Sequence, residues 1–191
     1  MTPVHQERRR RLMAAMSEAG CDAVLVYGNA WQCDYLRYVT DFPPVEGEAL
    51  ALFFADGETR LFVESAADAA RARVEVPHAD VVQCEDLSES VCDELGRLGN
   101  RTVASAPATL MPYGITGSDA AKDVEDGTSM VDALLLVKSP IEIEAVRRAA
   151  VIADDGYRVF MEACQIGRAE YELIAEIETY FREAGCPENF M

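Results

Sequence analysis

Through the first two thirds of the chain, apolar residues fall into short runs separated by polar or glycine-marked breaks; in the last quarter they recur at steps of three and four. Asp22 to Gly28 carries Ala-Val-Leu-Val-Tyr without interruption, the mark of a central strand buried on both faces. Upstream, Gln6 to Ala19 sets Leu12, Met13 and Met16 on one side and ends at Gly20, which predicts a helix. Residues 49–54 and 59–63 flank Asp56-Gly57 and predict a hairpin. Ser65 to Ala72 predicts a short helix, Val81-Val82 and Thr102 to Ala104 brief strands. Between those strands, Leu87, Val91, Leu95 and Leu98 draw the stripe of a helix closed by Gly99-Asn100. The glycines of Gly114-Ile115-Thr116-Gly117 are too sparse for a phosphate loop; they predict a turn before a helix capped by Ser118. Thr128 to Val137 then predicts the last strand. The sum, about six strands and four helices over residues 1–137, fits an α/β domain: a mixed sheet with helices on both faces.

From Lys138 the period changes. Ser139-Pro140-Ile141-Glu142 supplies a cap hydroxyl, a proline at the first helical position and a carboxylate three residues on, which together make a capping box. Ile143, Val146, Ala150, Ala153, Tyr157, Phe160 and Cys164 follow along one helical face. Ile166-Gly167-Arg168 breaks the pattern, and Leu173, Ile174, Ile177, Phe181 and Ala184 draw a second stripe that stops at Gly185, with Pro187 just beyond. This α-helical hairpin, residues 138–191, begins a second, incomplete domain. Two such helices cannot bury both stripes against each other alone, so the chain continues in a parent protein or another copy covers them. A homodimer or higher assembly is expected, with Ile174, Ile177 and Phe181 lacking a cover.

Composition narrows the partners. The 191 residues carry a formal net charge of -17 and are 50% apolar, which argues against nucleic-acid or anionic-membrane binding. No apolar run approaches the roughly 18 residues of a spanning helix. The basic N-terminus is followed by no apolar stretch of the secretory kind, so a cytoplasmic location is expected. Arg8 to Arg11 form a basic run, expected to be a solvated or ion-paired face in so acidic a chain. The six cysteines and two histidines match no zinc spacing. Free thiols are expected, with His78 at the surface. Asp154-Asp155 are helix neighbours pointing too far apart to clamp one metal easily.

Residues 29–48 concentrate Trp31, Tyr35, Tyr38 and Phe42 among polar groups before Pro43-Pro44. Large amphipathic rings serve a core or interface as well as a ligand pocket, and spacing leaves both open. Here and in the tail the chain resembles a known family. Val137 to Ile143 running into Val146-Arg147-Arg148-Ala149-Ala150, and Gly167 to Glu178, look like the entry into the catalytic domain of the pita-bread metallopeptidases, the family of Xaa-Pro aminopeptidases, prolidases and creatinases. Tyr38-Val39-Thr40-Asp41-Phe42 resembles the tyrosine-x-threonine-glycine-phenylalanine segment of that family's N-terminal domain, with Asp41 where glycine is usual.

The resemblance implies a creatinase-like N-terminal domain over 1–137 and the first helices of a catalytic domain over 138–191. It implies an enzyme only in a longer parent, in which two divalent ions (Mn, Zn or Co), held by two Asp, one His and two Glu beyond residue 191, activate a bridging water for amide hydrolysis. This chain then has no catalytic or metal-binding residue of its own and serves oligomerisation and the shaping of a substrate entrance. In family dimers the loop after residue 42 can reach toward the partner's active site, so Trp31, Tyr38, Val45, Glu46 and Glu48 are the substrate-entrance candidates. Creatinases place an aromatic and an arginine there. Glu46 and Glu48 would repel a substrate carboxylate and suit a peptide amine or another cation. The alternatives are a stand-alone binding or dimerisation module, or part of a creatinase-like amidinohydrolase.

Overall fold

The computed structural model describes residues 2–186. It divides into two units, Met1–Val137 and Lys138–Met191.

The first unit is built on a six-stranded sheet. Its strands are β1 (Ala23–Asn29), β2 (Glu48–Phe54), β3 (Thr59–Val63), β4 (Asp80–Gln83), β5 (Val103–Ala106) and β6 (Glu125–Asp126), in the spatial order β4-β3-β2-β1-β5-β6. β2 runs antiparallel to both β1 and β3; β3 with β4, β1 with β5, and β5 with β6 are parallel. The apolar run of β1 lies at the centre, and its alternate residues feed opposite faces. Val24 and Val26 join Phe53, Leu61 and Val63 under the helices α1 (Pro3–Ala19), α2 (Asp34–Thr40) and α3 (Ala66–Glu75). Ala23, Leu25 and Tyr27 join Leu50, Leu52 and Phe62 under α4 (Leu87–Arg97), whose Leu87, Val91 and Leu95 form the expected stripe. A four-residue helix, α5 (Tyr113–Thr116), adds Ile115 to that second layer, and Ser118 caps the single 3-10 turn that follows. The mixed α/β sheet with helices on both faces is therefore present.

The turn and Ser118-capped helix expected at 114–118 are a short helix and one 3-10 turn instead, and two further expectations fail locally. Thr128 to Val137 is not the last strand. Residues Thr128–Leu136 form a helix, α6, and the last strand is the short β6 before it. Its apolar run fits either period. The helix wins because Val131 buries fully while Met130, Leu134 and Leu135 pack beside it on the core of the α1 face. The second failure is α2, in a segment with no assigned element. Its buried Leu36, Val39 and Thr40 follow the three-to-four spacing, but the polar residues and the Pro-Pro exit hid so short a helix.

Within the second unit, α7 (Pro140–Ala163) and α8 (Glu170–Glu183) form the expected helical hairpin. The capping box is closed in both directions: Glu142 N–H donates to Ser139 Oγ at 3.3 Å, and Ser139 N–H donates to Glu142 Oε2 at 2.7 Å. On α8 the hairpin closes through Leu173, Ile177 and Phe181 of the expected stripe, whereas on α7 only Phe160 of the expected stripe is half-buried and the contact centres on Gly156. Gly156 and Ala163 are buried, Ile152 and Phe160 half-buried, and Phe181 of α8 lies over Gly156. So Phe181 has a cover, and Ile177 is half-buried. Ile174 is exposed as expected, and α7 adds a larger open apolar surface, where Ile143, Val146, Tyr157 and Met161 are exposed. Pro187, expected to punctuate the end of α8, lies outside the described residues.

Candidate functional site

Register places the entrance candidates at one edge of the sheet. Asn29 pairs with Glu48, Ala49 with Val63, and Val63 with Gln83. The carboxyl ends of β1, β3 and β4 thus lie beside the start of β2, and the loops that leave them share this edge. In open α/β sheets that is where ligands are held.

Each loop is fixed by its own polar side chains. Asn29 Oδ1 accepts the Trp31 and Gln32 N–H groups at 2.9 and 2.8 Å, an Asx turn that leaves Trp31 83% exposed. Asn29 Nδ2 also donates to Tyr27 Oη at 3.2 Å, and Tyr27 Oη donates to Glu48 Oε1 at 2.8 Å. Burial pushes the Tyr27 phenol above its ordinary pKa, so it stays a donor and aims Glu48. Across the edge, buried Asp68 accepts the N–H groups of Val45 and Glu46, at 3.0 and 2.8 Å to Oδ2. Arg71 braces Asp68 at 2.8 Å and donates to the Pro43 carbonyl at 3.4 Å. Ser65 Oγ donates to Glu46 Oε2 at 2.6 Å. The loop after Pro43-Pro44 is therefore preorganised around one buried carboxylate.

Of the five sequence candidates, the structure gathers Val45 and Glu46 on this braced loop and sets Glu48 and Trp31 on the neighbouring strand ends. It does not bring Tyr38 to them. Tyr38 is 3% exposed and sits in the core, with the Arg8 guanidinium 5.4 Å from its ring centroid. Sequence reasoning missed Asp68, Ser65 and Arg71, because their role arises from α3 lying under the loop, and the Tyr27–Glu48 pair, which follows only from strand register. Asp41, where the related segment has glycine, carries a left-handed φ of 62° at the end of α2. That conformation explains why glycine suits the position.

The exposed Trp31 indole and the Glu46 and Glu48 carboxylates stand at this one edge, residue types that attract cations. Among the described residues no set of three His, Cys, Asp or Glu side chains is gathered to hold a metal ion. All six cysteines are free, and burial raises the Cys21, Cys33 and Cys84 thiols above their ordinary range. The arginine run is absorbed by the fold. Arg9 bonds Gly57 O and Thr59 Oγ1, Arg11 donates to Leu134 O at 3.1 Å, and Arg8 and Arg10 pair with Asp41 and Glu7. His78 is not a simple surface residue: it is half-buried, its ring nitrogens are enclosed, and it stacks on buried His5. Burial lowers His5 to about 3 and His78 to about 4.

Fold and edge together define a mixed-sheet α/β domain that presents a shaped, acidic and aromatic rim. Residues 8–138 match the Creatinase/Prolidase N-terminal domain family, and the chain belongs to it. It is 26% identical over 182 residues to the uncharacterized peptidase YqhT of Bacillus subtilis (strain 168), covering 92% of this chain and 49% of that protein. The X-Pro aminopeptidase of Thermotoga maritima MSB8 superposes with a TM-score of 0.75 at 20% identity, over 93% of this chain and 49% of that one. The N-terminal domain of the cytoplasmic peptidase PepQ from Mycobacterium tuberculosis H37Rv superposes with a TM-score of 0.54 at 19% identity, over 67% of this chain and 98% of that one. The chain thus spans about half the length of the longer relatives. Among the described residues no helix is long and apolar enough to cross a membrane.

Proposed function

We propose that this chain is the N-terminal portion of a metal-dependent Xaa-Pro aminopeptidase- or prolidase-like hydrolase, and that it assembles subunits and shapes the substrate entrance. The observation that carries this reading is the loop braced by Asp68 and Arg71, which holds Val45 and Glu46 on the same sheet edge as Trp31 and Glu48. A preorganised edge with carboxylates and a solvent-exposed indole suits the cationic amine of a short peptide. The described residues do not fit a two-ion centre, since they gather no set of three ligating side chains. In this reading the residues that hold the metal ions, and the hydrolysis itself, lie outside these 191 residues. The proposed location is cytoplasmic and the proposed state a homodimer or higher oligomer.

The coding sequence downstream of Met191 tests this. It should encode two Asp, one His and two Glu as a metal-ligand set, and the joined protein should cleave Xaa-Pro peptides. In that protein Trp31→Ala and Glu48→Gln should raise KM several-fold with little change in kcat, since they touch the entering amine rather than the scissile bond. A downstream frame without those ligands would remove the enzyme reading. The second reading, a stand-alone dimerisation module, is favoured by the open apolar surface of α7; a stable dimer of the chain together with the absence of that downstream set would select it.

A further inference from the structure

The least explained polar atoms in the molecule lie away from the sheet edge, where the first turn of α1 meets the turn between α3 and β4. That turn carries Pro77-His78 and is closed by the Ala79 N–H, which donates to the Val76 carbonyl at 3.0 Å. The His78 ring lies against that of His5, with centroids 4.4 Å apart and planes inclined by 47°. His5 is 1% exposed, and both nitrogens of both rings are buried without a hydrogen-bond partner. Buried polar atoms are otherwise paired in folded proteins. Two neutral imidazoles accept this packing at some cost; an imidazolium, with a donor on each nitrogen, finds no acceptor there.

The charged groups around the rings are cations. Those acting on His5 are His78, Arg9, Arg8 and the amino terminus, and those acting on His78 are Arg9 and the amino terminus. The carboxylates of the surrounding elements are turned to other partners: Glu7 of α1 to Arg10 at 2.8 Å, Glu75 of α3 to Arg71 at 3.2 Å, and Asp80 of β4 to Arg60 at 3.7 Å. We propose that the two rings form an acid-sensitive latch, which pins the start of α1 to the Pro77-His78 turn while both are neutral and lets go when a ring takes up a proton. Release stops within α1. Arg9 is held by Gly57 O and Thr59 Oγ1, Arg11 donates to Leu134 O at 3.1 Å, and Leu12 and Met16 are buried in the core. The segment before Arg9 therefore moves while the sheet stays intact.

Burial first, and the neighbouring cations after it, hold His5 at about 3 and His78 at about 4, against 6.5 for an ordinary histidine. Below 6.5 the open form thus binds more protons than the closed one. The latch has its full stability above that value and loses it as pH falls toward about 4. Two such groups make opening on the order of a thousandfold more favourable at about pH 4.5 than at about pH 7.

Hydrogen exchange of the purified chain, corrected for its intrinsic pH dependence, and imidazole NMR test this together. Over that acidification, protection at residues 5–9 and at Ala79 should fall by up to the same factor while β1 keeps its protection. Both ring signals should pass together to imidazolium positions well below the ordinary histidine value. His5→Leu combined with His78→Leu should keep those amides protected throughout. The proposal is overturned if residues 5–9 stay as protected in acid as at neutrality, if β1 loses protection in step with them, if either ring titrates at the ordinary value, or if the double variant opens as the wild type does. The wild-type measurements decide the matter even should the variant fold poorly.

Discussion

The smallest unit that matters here is a single buried carboxylate. Asp68 takes the two N–H groups that shape the rim loop and the guanidinium that braces it. Asp68→Ala leaves those donors unpaired and should cost about 3 kcal/mol in urea unfolding. Hydrogen exchange at Val45 and Glu46 should accelerate in the same variant, and unchanged protection there would show that the loop holds itself. Tyr35 gives a second residue-level test. Its hydroxyl donates to Asp132 Oδ1 at 2.5 Å, and that bond, before burial, raises its pKa to about 12. The raised value means the folded state keeps its proton longer than the unfolded state. The stabilisation it brings is complete below pH 10 and disappears as pH climbs through about 12. A ring-carbon NMR titration should place the Tyr35 midpoint near 12, moving back toward 10 in Asp132→Asn.

At the scale of elements, legibility followed chemistry that is local in sequence. The β1 run, the Asp56-Gly57 hairpin and the Ser139–Glu142 capping box each carry their signal within a few residues, and each formed where expected. Helix α6 differs from the expected strand because the stretch Met130 to Val137, apolar but for Asp132, fits both periods, and only its packing on the core of the α1 and α2 face chooses between them. The rim was legible as residue types, an indole and two carboxylates, but not as geometry. The contacts from Asp68 and Tyr27 cross more than 20 residues of sequence. The His5–His78 contact had no sequence signal at all. On α7 the contact with α8 was likewise displaced from the expected stripe to Gly156, where an added Cβ would meet Phe181 ring atoms at 2.5 and 2.6 Å. Gly156→Leu should therefore loosen α8, seen as faster proteolysis after residue 170. Pairing it with Phe181→Ala should restore protection by vacating the space. If Gly156→Leu alone leaves α8 as resistant as before, the close approach is not what joins the helices.

For the whole molecule, the chain belongs to the Creatinase/Prolidase N-terminal domain family and spans about half of the longer relatives' length. Asn29, Ser65, Asp68 and Arg71 at the sheet edge hold its loops. Light scattering of the purified chain should give a dimer or larger species, because α7 exposes Ile143, Val146, Tyr157 and Met161. A monomer that binds no apolar dye would contradict that.

The central claim is that this chain shapes an entrance and performs no hydrolysis itself. Its most direct test is release of proline-containing product when the purified 191-residue chain is incubated with Xaa-Pro dipeptides and Mn2+, Co2+ or Zn2+. No turnover above the protein-free control is predicted; metal-dependent cleavage by this chain alone would contradict the account.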